Sequence, residues 1–443
     1  MTAFLRSDGL ASYRTVLTYL ALLAGVFTFL PGFSYLTTAL ACLAIVLGWA
    51  NLRMVARVIF SLILILGGLA LAIEPVALER ASGNMARIGA LIITVMLLSA
   101  VLAQSNDIKI ISRSLFSGRP AHRYLGVTTG TAVLSVPLNF GAVGVIATMI
   151  GVQIRERGDS GLARNAARAV VRGFGASPMA SPLSIAIVMV VTFLPGLSSW
   201  KLIAASLPFA ALYLVAGAVF REQEAPESKV VVGAVEGAGP AWVRFLSTIA
   251  LICLGAFALT SLAGLIYSQA VTLSCLTAVV LGLLYRRIQD GKLFIPSLAM
   301  MNNELAIMGG SSFLGGVIGT FALNWMGSDF SLPVWAYPLV AMLVPWLFFA
   351  GGAGGVNPII SGTLSGSILG PIWPDYGLLA LGFGIVTGWG ITIAGTPFSA
   401  NALLLERCTG YDTRVAAYGW SFRYSMISLA ASSLICGVLA LPF

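Results

Sequence analysis

Apolar runs of about 15–25 residues recur along the whole chain, and nothing constrains its fold more, because a run of that length crosses a bilayer as a helix. Of 443 residues, 58% are hydrophobic and 9% charged, about a third of the charge of an average soluble domain. No hydrophilic stretch is long enough for a separate soluble domain. The sequence predicts an all-α polytopic membrane protein. The basic opening segment, MTAFLRSDGLASYR, precedes an apolar run without a small-residue cleavage site. It reads as the flank of a retained first span rather than a signal peptide.

The spans are not all alike. Plain ones are expected at about 16–31, 34–50, 56–74 and 88–104. The apolar stretch 124–151 is broken near Pro137 and Asn139 in SVPLNFGAVG, and 165–195 is broken at GASPMASPLS. A plain span follows at 200–220. The polar loop REQEAPESKVVVGAVEGAGP, residues 221–240, has the Pro, Gly and mixed charge of a linker. Plain spans then return at about 241–266, 269–285 and 303–324. A broken pair occupies 333–370, interrupted at GGAGGVNP, and 377–405 is interrupted at ITIAGTPFSAN. A last span covers 420–441. With residues 1–33 set aside as an extra span, 34–220 and 241–443 carry one order: three plain spans, a broken pair, an interrupted span, a plain span. Interrupted segments at matching places in two halves point to a transporter built from repeats.

The net charge of +9 resides in the loops between spans, so it predicts membrane orientation rather than nucleic-acid binding. With the N-terminus cytoplasmic, the inside loops hold Arg53, Arg57, the clusters flanking the first broken pair, Arg286, Arg287, Lys292, Arg407 and Arg414, while outside loops hold little beyond Asp329 and Asp375. The main exception is an expected outside loop, Pro75 to Arg87, with Arg80, Arg87 and Glu79. The count works if each broken pair is a re-entrant hairpin, the first entering from the cytoplasm and the second from outside. The halves are then inverted repeats, and the C-terminus is periplasmic or extracellular. The localisation expected is the cell inner membrane.

Backbone groups left unpaired in lipid cost several kcal/mol each, so broken helices belong where they face protein or a watery cavity. Freed N–H groups there suit an anion and freed carbonyls a cation. Asn139 and Asn357 place an amide at each hairpin tip, and Gly354 and Gly355 permit close approach. Ser177, Ser181, Thr396, Ser399 and Asn401 flank the prolines of the interrupted spans and either serve the site or satisfy freed backbone. Ser361, Thr363, Ser365, Ser367, Thr128 and Thr129 read as helix-packing positions. Glu304 is the acid nearest a span interior, close to its end. Arg164, Arg168 and Arg172 recur every four residues and read as a face toward lipid headgroups. The five cysteines are scattered and the one histidine, His122, lies in a basic loop. No disulfide, zinc site or His-based triad is expected, nor any resident cofactor.

The five-helix inverted repeats after one extra span, each with a hairpin and an interrupted helix, resemble the ion transporter superfamily, whose best-understood branch is the divalent anion:sodium symporters. That branch has Ser-Asn-Thr at each tip and a Gly-Thr-Pro-Pro-type loop in the following helix. Here the tips read Leu138-Asn139-Phe140 and Val356-Asn357-Pro358, so the Asn carries over and the hydroxyls do not. Gly395-Thr396-Pro397 matches the loop, and Ser177-Pro178-Met179-Ala180-Ser181-Pro182 is its looser partner. The resemblance implies substrate binding by Asn139, Phe140, Asn357, Pro358, Ser181, Thr396 and Ser399. It implies sodium binding by Asn139, Ser177, Asn357, Thr396 and Asn401. Without four hydroxyls, a substrate less charged or bulkier than a dicarboxylate is expected.

The function expected is secondary active transport of a small organic anion of the carboxylate class, by an elevator-type motion, with Na+ as coupling ion, in a homodimer surrounded by membrane lipids. The sequence has no GxxxxGK[ST] for a nucleotide and no GxSxG, so an enzyme is not expected. A lipid or amphipathic-metabolite exporter or flippase on the same scaffold is the alternative.

Overall fold

The computed structural model describes residues 9–224, 235–291, 295–327 and 330–442, and these are helical with short connections. Residues 225–234 of the expected linker, together with Lys292 and Asp329, lie outside the described residues. After α1 (Gly9–Val26), the first half runs α2 (Phe33–Leu47), α3 (Met54–Ile73), α4 (Pro75–Leu102), the short α5 (Asn106–Ser114), the pair α6 (Pro120–Leu138) and α7 (Phe140–Arg157), the interrupted helix α8 (Gly161–Ala180) and α9 (Ile185–Phe193), and α10 (Ser199–Ala216). The second half repeats it with α11 (Ala238–Ala263), α12 (Tyr267–Asp290), a helix that begins with one turn, α13 (Asn302–Glu304), and continues through a π-helical turn into α14 (Gly310–Met326), the pair α15 (Ala336–Ala353) and α16 (Pro358–Leu369), the interrupted α17 (Leu378–Gly395) and α18 (Ala400–Thr409), and α19 (Phe422–Leu439). Ten of these helices, interrupted ones counted whole, are long and apolar enough to span a membrane. The protein is an all-helical, multi-pass membrane protein.

The expected outside loop from Pro75 to Arg87 is instead the first turns of α4, with Ala81 to Ala86 buried. Pro75 is tolerated there because the first helical position needs no N–H partner. His122 likewise sits in the first turn of α6, exposed, and not in a loop. No two of the five cysteines are bonded.

The chain forms two compact units, each drawing on both halves of the sequence. One contains the described residues of Met1–Val101, Leu254–Ser331 and Thr363–Ile372. In it, α14 meets the outgoing arm of the second hairpin through small residues. A Cβ at Gly315 would press on Thr363, and one at Gly319 would press on Ser367, one turn further along both helices. Thr363 and Ser367 thus serve close packing, as expected for small-residue helix contacts. Glu304 lies just before the π turn in this unit, with one carboxyl oxygen buried and unbonded.

The other unit contains Leu102–Cys253, Leu332–Gly362 and Trp373–Phe443, and therefore both hairpin tips and both interrupted helices. Its packing repeats. α6 lies along α8, where Gly173 admits the Thr128 carbonyl, and α15 lies along α17, where Gly388 admits Pro345 and Phe348. Gly151 of α7 admits the Cys408 carbonyl of α18, and Gly362 of α16 meets Met189 of α9. Each outgoing arm thus packs on the distal piece of the other half's interrupted helix. α8 and α17 touch backbone to backbone through Gly175 and Gly390.

The arginine face predicted to meet lipid headgroups is an internal network. Arg172 is fully buried. Its guanidinium donates to the Tyr124 hydroxyl at 2.8 Å and to the carbonyls of Gly217 and Trp420 at 2.9 and 3.1 Å, and lies 4.6 Å from the Tyr424 ring centre. Arg168 pairs with Glu222 at 3.2 Å, and Arg164 with Glu222 at 2.7 Å and Asp159 at 2.6 Å. Arg123 and Glu224 pair at 2.5 Å, and Asn165 donates to the Glu222 carbonyl at 2.8 Å. Helical spacing displayed the stripe; Glu222, more than 50 residues away, pairs with two of its members, and a hydroxyl and carbonyls from distant segments take the third.

Candidate functional site

The first tip is a single residue. Asn139 ends α6 and begins α7 with φ 48° and ψ −127°, and no other described non-glycine residue has a positive φ. That region favours glycine and costs a substituted residue of order 1–3 kcal/mol. The half-buried Asn139 amide makes no hydrogen bond among the described residues and does not cap α7. The Ala142 N–H turns back to the Asn139 carbonyl at 3.2 Å, while the first N–H groups of α7 receive no side-chain cap. The Phe140 ring packs against Phe174 of α8 in a tilted pair, centroids 5.1 Å apart.

The second tip is built differently. Gly355 takes φ 85° in a Schellman turn, in which Val356 N–H reaches the Gly351 carbonyl at 2.8 Å and Gly355 N–H the Gly352 carbonyl at 3.1 Å. Asn357 is unstrained. Its Oδ1 accepts the Ile359 N–H at 2.9 Å, which caps α16 and uses one lone pair. Pro358 opens α16, where its missing N–H is no loss. This tip lies against the second helix interruption. A Cβ at Gly352 would come within 3.3 Å of the Thr396 hydroxyl, and one at Gly355 within 3.9 Å of the Phe398 ring. Phe398 is 52% exposed and Val356 41%, giving the tip an apolar lip.

The two interruptions differ in what their broken ends do. At the first, hydroxyls close the C-terminus of α8: Ser184 donates to the Pro178 carbonyl at 3.3 Å and Ser206 to that of Met179 at 2.5 Å. Ser177 gives its carbonyl to the Ser181 N–H, and the Ser181 hydroxyl accepts from Leu183 N–H. At the second, Pro397 has no N–H to return to α17. Among the described residues nothing donates to the Ile393, Ala394 or Gly395 carbonyls. Thr396 spends its hydroxyl on the Thr392 carbonyl at 2.8 Å and Ser399 on that of Thr396 at 3.1 Å. Two residues on, Asn401 is fully buried, and neither its amide oxygen nor its nitrogen has a partner. A buried amide left so costs about 1–3 kcal/mol. A helix C-terminus with open carbonyls and an orphaned amide oxygen nearby is a donor set for a hard cation. At the first interruption the Pro178 and Met179 carbonyls are taken by hydroxyls and the Ser181 hydroxyl is engaged.

Thr396, Ser399 and Asn401 thus share one interruption, against which the second tip rests. No hydrogen bond joins Asn139 to Asn357, or either to Ser177. Asn401's orphaned state was beyond sequence reasoning, since it depends on which neighbours fail to reach it.

The sequence matches no protein-family model and no curated protein. The fold is similar to that of the YdaH transporter of Alcanivorax borkumensis, described as having an unusual topology, with a TM-score of 0.51, 18% identity, and 84% of this chain and 88% of that one covered. MtrF of Neisseria gonorrhoeae, described within a class of antimetabolite efflux pumps, aligns at a TM-score of 0.48 and 13% identity over 83% of this chain and 84% of that one. The fold is that of a solved membrane transporter.

Proposed function

We propose that the chain is a secondary active transporter of a small organic anion with an apolar body, coupled to sodium and working by an elevator-type motion of the unit that carries both tips. The observation that carries the reading is the buried, unpartnered Asn401 in the first turn of α18, the helix that follows the open carbonyl end of α17. Sodium is held there by the Asn401 amide oxygen and backbone carbonyls. The substrate's anionic group meets the uncapped start of α7 and the Asn139 amide, and its apolar body meets Phe398 and Val356. Sharing a fold with a transporter supports transport in general. The absence of a nucleotide-binding motif from the sequence favours an ion gradient as the source of work. On the positive-inside rule the N-terminus is cytoplasmic and the C-terminus outside.

Uptake of radiolabelled aromatic and aliphatic carboxylates into proteoliposomes tests it. The rate should rise with external sodium at fixed pH and membrane potential. A rate unchanged when choline replaces sodium rejects the coupling. A second reading, export of an amphipathic metabolite or lipid, is favoured by the exposed Phe398 and Val356. It predicts sodium-independent outward movement of a fluorescent lipid analogue in the same vesicles.

A further inference from the structure

A groove of about 750 Å³ lies on the first arm of hairpin 1, away from both tips, under the segment joining α5 to α6. Glycines shape it. Gly118 turns the segment with φ 91°, a Cβ at Gly130 would strike the Leu115 side chain, and one at Gly126 would lie 3.2 Å from the Leu115 carbonyl. The start of α11 forms the far wall. Trp242 donates from its indole nitrogen to the Ser114 hydroxyl at 3.3 Å, and Arg244 closes on Asp107 at 2.5 and 2.9 Å.

The groove is polar at its mouth and apolar at its floor. Its hydroxyls are committed: Ser114 donates to Ile111, Ser117 to Ser114 and Thr129 to Leu125, all to backbone carbonyls. Two side chains at the mouth, Arg119 and His122, have no hydrogen-bond or ion-pair partner among the described residues, and the nearby acid Asp107 is taken by Arg244. The apolar floor is the buried Leu115 with Val133, and Trp242 and Leu246, the latter 46% exposed, form an apolar wall. α5 lies at the mouth, with Ile108 and Ile111 buried and Lys109 and Arg113 exposed, the arrangement of a helix lying in a membrane interface.

We propose that this groove is a binding site for an anionic phospholipid of the surrounding bilayer. The phosphate meets Arg119 and His122, and an acyl chain lies over Leu115, Val133 and Leu246 against Trp242. The uncompensated cation selects the anionic headgroup. The apolar floor distinguishes a lipid from a free anion, which would gain nothing from it. The site is separate from the one proposed for transport, and its occupancy does not depend on sodium.

Trp242 is the reporter. In full-length protein reconstituted with phospholipids brominated on the acyl chain, the Trp242 contribution is the difference between wild type and Trp242→Phe. Brominated phosphatidylglycerol should quench it at about fivefold lower mole fraction than brominated phosphatidylcholine, the preference one basic residue confers. Arg119→Gln with His122→Gln should abolish that preference and leave phosphatidylcholine quenching unchanged. Equal quenching by the two lipids in wild type, or a preference that survives the double substitution, overturns the proposal. So does relief of quenching by excess inorganic phosphate, which would assign the mouth to a free anion. Should Trp242→Phe fold poorly, native mass spectrometry of wild type against the Arg119/His122 variant gives the same decision. Phosphatidylglycerol should be retained by the first and lost by the second; equal retention overturns the proposal.

Discussion

The proposed function gives two asparagines the central roles, and for each a substitution separates a structural role from a functional one. Asn139 occupies a conformation that glycine adopts without penalty. Asn139→Gly should therefore raise stability by about 1 kcal/mol while slowing transport, because the amide at the tip is lost. Thermal unfolding and uptake on the same preparations check both halves, and unchanged uptake would reduce Asn139 to a turn residue. Asn401 poses the reverse case. A buried amide without partners contributes nothing to stability, so Asn401→Leu should leave the melting temperature level or higher. It should also remove the dependence of uptake on sodium. A large loss of stability with sodium dependence intact would reject Asn401 as a ligand.

At the scale of elements, the most consequential contact joins α8 to the stretch after α10. Glu222 is held below the usual glutamate range, first by the Arg164 hydrogen bond and then by the charges of Arg164 and Arg168, against the opposing effect of burial. A carboxylate depressed in the folded state stabilises above its unfolded value, about 4.3, and that contribution fades as pH falls through the depressed value. Wild type should thus lose stability on acidification, and Glu222→Gln should start lower and show a flatter profile in unfolding measured against pH. The Arg123–Glu224 pair is almost wholly buried, each side chain 4% exposed. Removing one partner strands the other charge, so Glu224→Ala should cost about 3–5 kcal/mol in equilibrium unfolding in mixed micelles. A cost below 1 kcal/mol would mean water replaces the pair.

For the whole molecule, the repeated order of elements makes a strong claim about topology. The expected topology, with eleven spans and two hairpins that return to their own sides, predicts that the start of α1 and the end of α19 are on opposite faces of the membrane. Single cysteines introduced at these two places in a cysteine-free variant should be labelled by an impermeant reagent from opposite sides. Labelling of both from one side would remove the inverted-repeat topology and the positive-inside orientation with it.

The sequence by itself determined the membrane-spanning class, the repeated order, and all four breaks, at Asn139, 181–184, 354–357 and 396–399. Apolar length, proline and glycine are local properties that act wherever the chain goes. The start of α4 is not legible locally because the charges within 75–87 resemble a loop, whereas tertiary burial of Ala81 and Ala86 sustains the helix. Which broken end stays open was decided only in three dimensions. Pro178 and Pro397 look alike in sequence, but Ser206, on another helix, reaches the carbonyl end of α8, and among the described residues no group reaches that of α17. The same holds for Arg164, Arg168 and Arg172: a stripe fixes which side chains share a face, while the neighbour that face meets depends on long-range contacts that no local pattern encodes.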